Sequence, residues 1–261
     1  MNPVVLFGSV PLATWAGRRV QSHPGLDLVG VVCDPVSRAF AHHGLDEPGA
    51  YDWAREHGVP VLTLEDVPGA VDGRAGAVGL SVRFHRILRR DVIDAFGGGV
   101  LNLHGGELPR FRGVNCANHA VLDGAERGAG TLHFIDEGVD TGDIVGRRYF
   151  EITRRDTAYS VFLKTQRALQ DVLVEHLDAI AAGEVHRTPQ DRFLADGETT
   201  VTYRRADLVR YKELSLDLGL AELDRRARAF AFPGHEPAYF RVGDRRLHLV
   251  PDAGGADGEG R

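Results

Sequence analysis

Short apolar runs alternate with mixed segments of helical period through the first hundred residues. Val4–Val10 is apolar and ends at Gly8–Ser9; Pro11 then opens a mixed stretch reaching Val20. This reads as strand, turn and short helix. Leu26–Asp34 is a second run, bounded by Pro24–Gly25 and Pro35, and so a second strand. Tyr51–His57 reads as helix, Pro60–Leu64 as a short strand, Gly76–Phe84 as a buried strand and Leu88–Phe96 as a helix stopped by Gly97–Gly99. Val100–His104 is the next strand, ending in Gly105–Gly106. Strands alternating with helices predict an α/β fold: a mostly parallel sheet covered by helices on both faces. In such sheets reactive groups gather at the carboxyl ends of the strands.

After residue 113 the pattern loosens. Val114–Leu122 reads as helix, Gly130–Ile135 as strand, and Asp140–Ile152 as a loop leading into another strand. Between Asp156 and Gly183, apolar residues from Tyr159 to Ile180 recur at helical spacing. That predicts one long helix, with Asp156 as its N-cap and Gly183 as its end. Beyond Val185 the elements shorten: a helix over Glu222–Phe230, then a hairpin of Ala238–Val242 and Arg246–Val250 about Gly243–Asp244. The organisation expected is a catalytic domain over 1–184, a small α+β extension over 185–250 and a disordered Gly- and Asp-rich tail over 251–261.

Composition narrows the classes. In 261 residues, 43% hydrophobic and 26% charged positions are those of a globular chain. Two cysteines, Cys33 and Cys116, build neither a disulfide framework nor a Cys-rich zinc site. No apolar run of about 18 residues or secretory leader stands out, so a cytoplasmic protein with no membrane span is expected. Residues 1–184 carry 18 Lys+Arg against 24 Asp+Glu, and 185–261 carry 13 of each. Neither part holds the basic excess of a nucleic-acid binder. Gly8 lacks the pattern of a dinucleotide loop, and Gly97–Gly99 precede a strand rather than open a helix.

Two places stand out chemically. Asn102 and His104 share one face of a strand by alternation, and buried polar side chains there need partners. A satisfied internal pair would look the same. Downstream, His133-Phe-Ile-Asp136-Glu-Gly-Val-Asp140-Thr-Gly-Asp143 is a dense acidic loop after a strand. It lacks the spacing and closing Glu of a calcium loop, and a solvated acidic loop would read alike. His104 and His133 show no third convergent ligand, and no metal is expected.

The joint pattern carries a resemblance. Asn102-x-His104, then Leu-Pro-x-x-Arg-Gly over 108–113, then Asp136-Glu-Gly-Val-Asp140-Thr-Gly-Asp resembles the folate-dependent formyltransferases. That family includes the methionyl-tRNA, glycinamide ribonucleotide and sugar-amine N-formyltransferases. Phe84-His-Arg-Ile-Leu88 is similar to the family's pterin-site loop, whereas Gly105–Gly106–Glu107 departs from the Pro-Ser-Leu type stretch of many relatives. The resemblance covers residues 1–184 and, more loosely, Phe230–Phe240. It implies a Rossmann-like fold, N10-formyltetrahydrofolate as formyl donor, and Asn102, His104 and Asp140 as catalytic trio. It also implies cofactor contacts at Arg86, Ile87, Leu88, Val139 and Asp140, and Arg112 and Asn115 at the mouth facing the second substrate. The stretch Phe232–Phe240 with its hairpin is similar to the compact C-terminal part of sugar-amine enzymes. The implied acceptor is therefore the amine of a nucleotide-linked amino sugar. A hydroxylated ornithine is the alternative, a catalytically silent binding protein the alternative of another class. The shorter, neutral tail argues against tRNA. The apolar tail segment, Phe230–Phe232 with Tyr239–Phe240, fits either a homodimer face or a cap on the main domain.

Overall fold

A computed structural model describes residues 1–35, 42–194 and 200–252; most of the tail expected to be disordered, 253–261, lies outside the described residues. The elements run β1 (Asn2–Phe7), α1 (Pro11–Ser22), β2 (Leu26–Val32), α2 (Ala50–Glu56), β3 (Val61–Leu62), α3 (Val67–Val71), β4 (Val78–Val82), α4 (Arg90–Ile93) and β5 (Val100–His104). Next come β6 (Phe111–Gly113), α5 (Cys116–Leu122), β7 (Arg127–Phe134), β8 (Ile144–Glu151) and α6 (Ala158–Ala182). The chain finishes with β9 (Val201–Tyr203), α7 (Val209–Lys212), β10 (Glu213–Leu214), α8 (Leu220–Ala229), β11 (Ala238–Val242) and β12 (Arg245–Leu249). Among the described residues no helix is long and apolar enough to cross a membrane.

The main sheet has the order β3-β2-β1-β4-β5-β7-β8. Its first five strands are mutually parallel, and β7 and β8 are added antiparallel. Strands β1 and β4 are almost wholly buried, as near-continuous apolar runs must be when helices cover both faces. One apolar cluster joins β1, β4 and β5 to α1, α2 and α6, with Trp53 fully enclosed. A second, on the other face, gathers Val5, Phe7, Val92 and Phe96. The helix expected over Leu88–Phe96 is one turn, Arg90–Ile93; Leu88 and Phe96 are instead fixed by burial in that cluster.

The long helix is present, but its cap differs from expectation. Thr157 is the N-cap and forms a capping box with Ser160. Asp156 sits one residue earlier, where its carboxylate accepts from Thr153 N (2.7 Å) and Ser160 Oγ (2.7 Å) and so braces the cap from outside. Gly183 ends the helix in the left-handed conformation, φ 72°.

The chain beyond 184 shares a core with what precedes it. Cys116, Ala120, Val121 and Leu122 of α5 and Val161 of α6 pack with Leu214, Ala229, Phe230 and Ala238. The expected hairpin is β11–β12, closed at Gly243, and β10 extends it to three strands. Phe232 meets Tyr159 and Phe162 of α6 edge-on. A pairing absent from the sequence pattern ties the two parts: β6 runs parallel to β9, Phe111 against Val201 and Gly113 against Tyr203.

Candidate active site

Polar side chains of β5 and β7 meet near the carboxyl end of the parallel strands. The antiparallel register sets Asn102 opposite His133 and His104 opposite Thr131, so alternation brings Asn102, His104 and His133 to one face. Thr131 fixes the turn after β5: its hydroxyl donates to Gly106 O at 2.6 Å. The loop after β7 then swings Asp140 over this face. Asp136 folds that loop by accepting from Gly138 N (3.0 Å) and Thr141 Oγ1. Gly142 lets it pass close to the strand, since a Cβ there would lie 2.0 Å from Phe134 O.

The tautomers follow from the partners. His104 Nε2–H donates to Phe111 O at 2.7 Å, leaving Nδ1 facing Asp140 Oδ2 at 3.4 Å. His133 Nδ1–H donates to Phe134 O at 2.7 Å, so its Nε2 takes an N–H from Asn102 Nδ2 at 3.0 Å. The same Nε2 is 3.5 Å from Asp140 Oδ1. Gly113 N–H donates to Asp140 Oδ2 at 2.8 Å. Burial works against charge on His104; the adjacent Cys116 and the Asp140 carboxylate outweigh it, and the imidazole pKa is raised above its ordinary value. Burial likewise opposes charge on Asp140, but His104 and the Gly113 N–H hold its pKa at about 2. The result is a buried imidazole–carboxylate contact in which each partner favours the charged form of the other.

The expectation that His104 and His133 lack a third convergent ligand is corrected. Asp140 is that residue: the three ligand atoms lie within 4.8 Å of one another. Their sequence separation and the loop excursion hid this. The set nonetheless fits protons better than an ion. The lone pair of His133 Nε2 already accepts an amide N–H, and the raised pKa of His104 favours its protonated form, which leaves no lone pair for an ion. His133 itself was visible only as a polar residue in an otherwise apolar strand; its place opposite Asn102 comes from the register.

Of the residues named for cofactor contact, Val139 adjoins Asp140 along the chain, and Arg86, Ile87 and Leu88 lie on the loop between β4 and α4. Arg86 reaches Asp34 (3.3 Å) and lies over Phe84. The Ile87 side chain is 90% exposed, and Val139 on the neighbouring loop is 58% exposed. Leu88 is core, so only its backbone is available to a ligand. An ion pair between Arg90 and Glu137 ties the two loops together. Arg112, expected at the mouth, gives three guanidinium N–H groups to Gln190 Oε1 (2.7 Å and 3.1 Å) and Thr200 Oγ1 (3.3 Å). Asn115 has a left-handed backbone, φ 59°, at the start of α5, and its side chain makes no cap bond.

Comparison with known proteins gives a consistent set. The family described as "Formyl transferase" matches residues 62–177. The chain is 33% identical over 252 residues to a methionyl-tRNA formyltransferase of Halorhodospira halophila, covering 94% of this chain and 78% of that one. Against the methionyl-tRNA formyltransferase of Anaeromyxobacter sp. (strain K) it is 32% identical over 195 residues, 73% of this chain. The chain spans 60–62% of the length of the Anaeromyxobacter relatives it matches. In fold it is similar to an N-formyltransferase from Helicobacter canadensis solved with folinic acid and dTDP-3-aminofucose. There the TM-score is 0.75 at 19% identity, over 95% of this chain and 86% of that one.

Proposed function

The chain belongs to the folate-dependent formyltransferase family, and on that premise we propose that it transfers a formyl group from N10-formyltetrahydrofolate to the amine of a nucleotide-linked amino sugar. The observation that carries the reading is the convergence of Asn102, His104 and Asp140, with His133, on one face at the carboxyl end of β5. The surroundings suit the donor. Ile87 and Val139 stand apolar in solvent on two loops joined by Arg90–Glu137, and the peptide groups around them match a flat ring edged with donors and acceptors. When bound, the donor supplies an activated one-carbon unit.

The chain's own groups account for the rest. Asn102 Nδ2 has a second N–H beyond the one given to His133. The 3.4 Å contact between His104 Nδ1 and Asp140 is loose enough for that N–H to be shared with a ligand oxygen. Both donors serve a carbonyl oxygen that gains negative charge, and removing one such donor costs about 3–4 kcal/mol of barrier. Asp140 stays ionised, keeps His104 protonated, and orients a water that passes the proton shed by the attacking amine to N10 as the C–N10 bond breaks and tetrahydrofolate leaves.

A net charge of −6 and an excess of acids over residues 1–184 support a small acceptor rather than a polynucleotide. The fold likeness to a sugar enzyme points the same way. The names of the sequence relatives favour a second reading, methionyl-tRNA. The test is a panel: formyl-folate with amino-sugar nucleotides, hydroxyornithine and methionyl-tRNA, following tetrahydrofolate release and the formylated product. Turnover on amino-sugar nucleotides is expected. Turnover confined to the tRNA or to hydroxyornithine overturns the acceptor assignment.

A further inference from the structure

We propose that Gln190 is a positioning residue for Asp140, a clamp through which the chain beyond residue 184 sets that carboxylate against His104. The inference rests on Asp140 being part of the reacting constellation. Asp140 has φ 53°, a left-handed conformation that Asp tolerates better than most side-chain-bearing residues but that still costs energy unless its surroundings support it. Gln190 supplies the constraint. Its Nε2 donates to Asp140 O and to Gly142 O, both at 2.8 Å, gripping the loop on either side of Thr141. Its Oε1 accepts twice from Arg112, at 3.1 Å and 2.7 Å. All four hydrogen-bonding sites of the carboxamide are thus used, in a side chain buried from water.

The clamp is anchored at both ends. Thr188 exchanges backbone hydrogen bonds with Ile144 at the start of β8 (2.8 Å and 2.9 Å), which fixes the segment entering Gln190. Arg112 precedes Gly113, whose N–H holds the Asp140 carboxylate, and β9 pins that dipeptide by pairing with β6. The backbone and the carboxylate of Asp140 are therefore both referenced to Arg112–Gly113. No local pattern announces this, because Gln190 lies 50 residues from Asp140 and 78 from Arg112.

With Gln190 removed, the loop relaxes and the carboxylate leaves His104, which among the described residues then has Cys116 and His133 as its ionisable neighbours. Two variants separate clamping from simple anchoring. Gln190→Leu loses every bond; Gln190→Glu keeps the acceptor for Arg112 but loses both N–H donors. Each is compared with wild type by thermal unfolding, steady-state kinetics and an NMR titration of His104 in 15N-histidine-labelled protein. In both variants the His104 midpoint is expected to fall by about one pH unit, and kcat by about 10-fold to 100-fold, with the donor KM nearly unchanged. A folded variant with a wild-type midpoint and kcat overturns the proposal. So does reduced stability without a shifted midpoint, which marks a structural role alone. If Gln190→Leu does not fold, Gln190→Glu carries the test, and wild-type behaviour in it reduces Gln190 to an anchor for Arg112. The NMR midpoint needs no substrate. If wild type releases no tetrahydrofolate, the formyl-transfer reading fails while the clamp is still decided.

Discussion

The two walls beside the Asn102–His104–Asp140 centre are built differently. The wall of loops 83–90 and 136–139 is held by ion pairs standing in water: Arg86–Asp34 at 3.3 Å, Arg89–Asp91 at 3.1 Å, and Arg90–Glu137. The wall of residues 111–113 and 188–190 is held by short bonds largely shielded from water. Gln190 bonds to Asp140 O, Gly142 O and Arg112, and Gly113 to the Asp140 carboxylate. Exposed pairs contribute about 0–1 kcal/mol each, whereas orphaning a buried polar group costs about 1–3 kcal/mol. The first wall can adjust to a ligand at small cost. The second is set before any ligand arrives, as a device that orients a charged pair requires.

The largest effect should come from the residues between the walls. His104→Ala and Asp140→Ala are each expected to lose more than about 100-fold in turnover while retaining folate binding, since the loop 83–90 is left intact. Steady-state rates beside equilibrium binding of a folate analogue check this; loss of binding in parallel with turnover would move the chemistry into a wall.

Breaking the rigid wall comes next. Arg112→Ala leaves Gln190 Oε1 and Thr200 without their partner and should destabilise the fold by about 1–3 kcal/mol in denaturant unfolding. An unchanged midpoint would remove the distinction between the walls.

The pH dependence sharpens the same point. With its pKa at about 2, Asp140 stays ionised through the neutral range. Its contribution to stability is full above the ordinary carboxylate range and is lost as pH falls towards 2. His104, whose pKa is raised, contributes stability that is complete below the ordinary histidine value and lost as pH rises through its own pKa. Turnover should fall over that same rise, and Asp140→Asn should bring the fall at lower pH in a rate–pH profile. A limb that does not move would separate His104 from Asp140.

The smallest effect belongs to the exposed wall. Arg90→Ala or Glu137→Ala should change unfolding by no more than about 1 kcal/mol and raise the donor KM with little change in kcat. A large loss of stability would show that this wall is also rigid.

What the sequence reveals follows from how each feature is encoded. Strands β1, β2, β4 and β5 are apolar runs between turn residues, and α6 repeats its apolar face over seven turns, so local pattern suffices. Asn102 and His104 were legible by alternation along one strand. The short β6 and β9 were not, because three residues carry no period and their pairing links positions ninety residues apart. Arg112 is placed at the mouth by family likeness alone, and its bond to Gln190 was not legible because that partner lies 78 residues on. Asp140 was named through family likeness. Its contact with His133 depends on a left-handed turn that an acidic loop does not advertise.

The most direct test of the central claim compares wild type with His104→Ala and Asp140→Asn, each saturated with formyl-folate, in one rapid-mixing experiment with an amino-sugar nucleotide. Release of one tetrahydrofolate per formylated amine is expected in wild type, with at least a hundredfold slower release in variants that still bind the donor. Release at the wild-type rate from either variant would contradict the assignment of these side chains to the transfer.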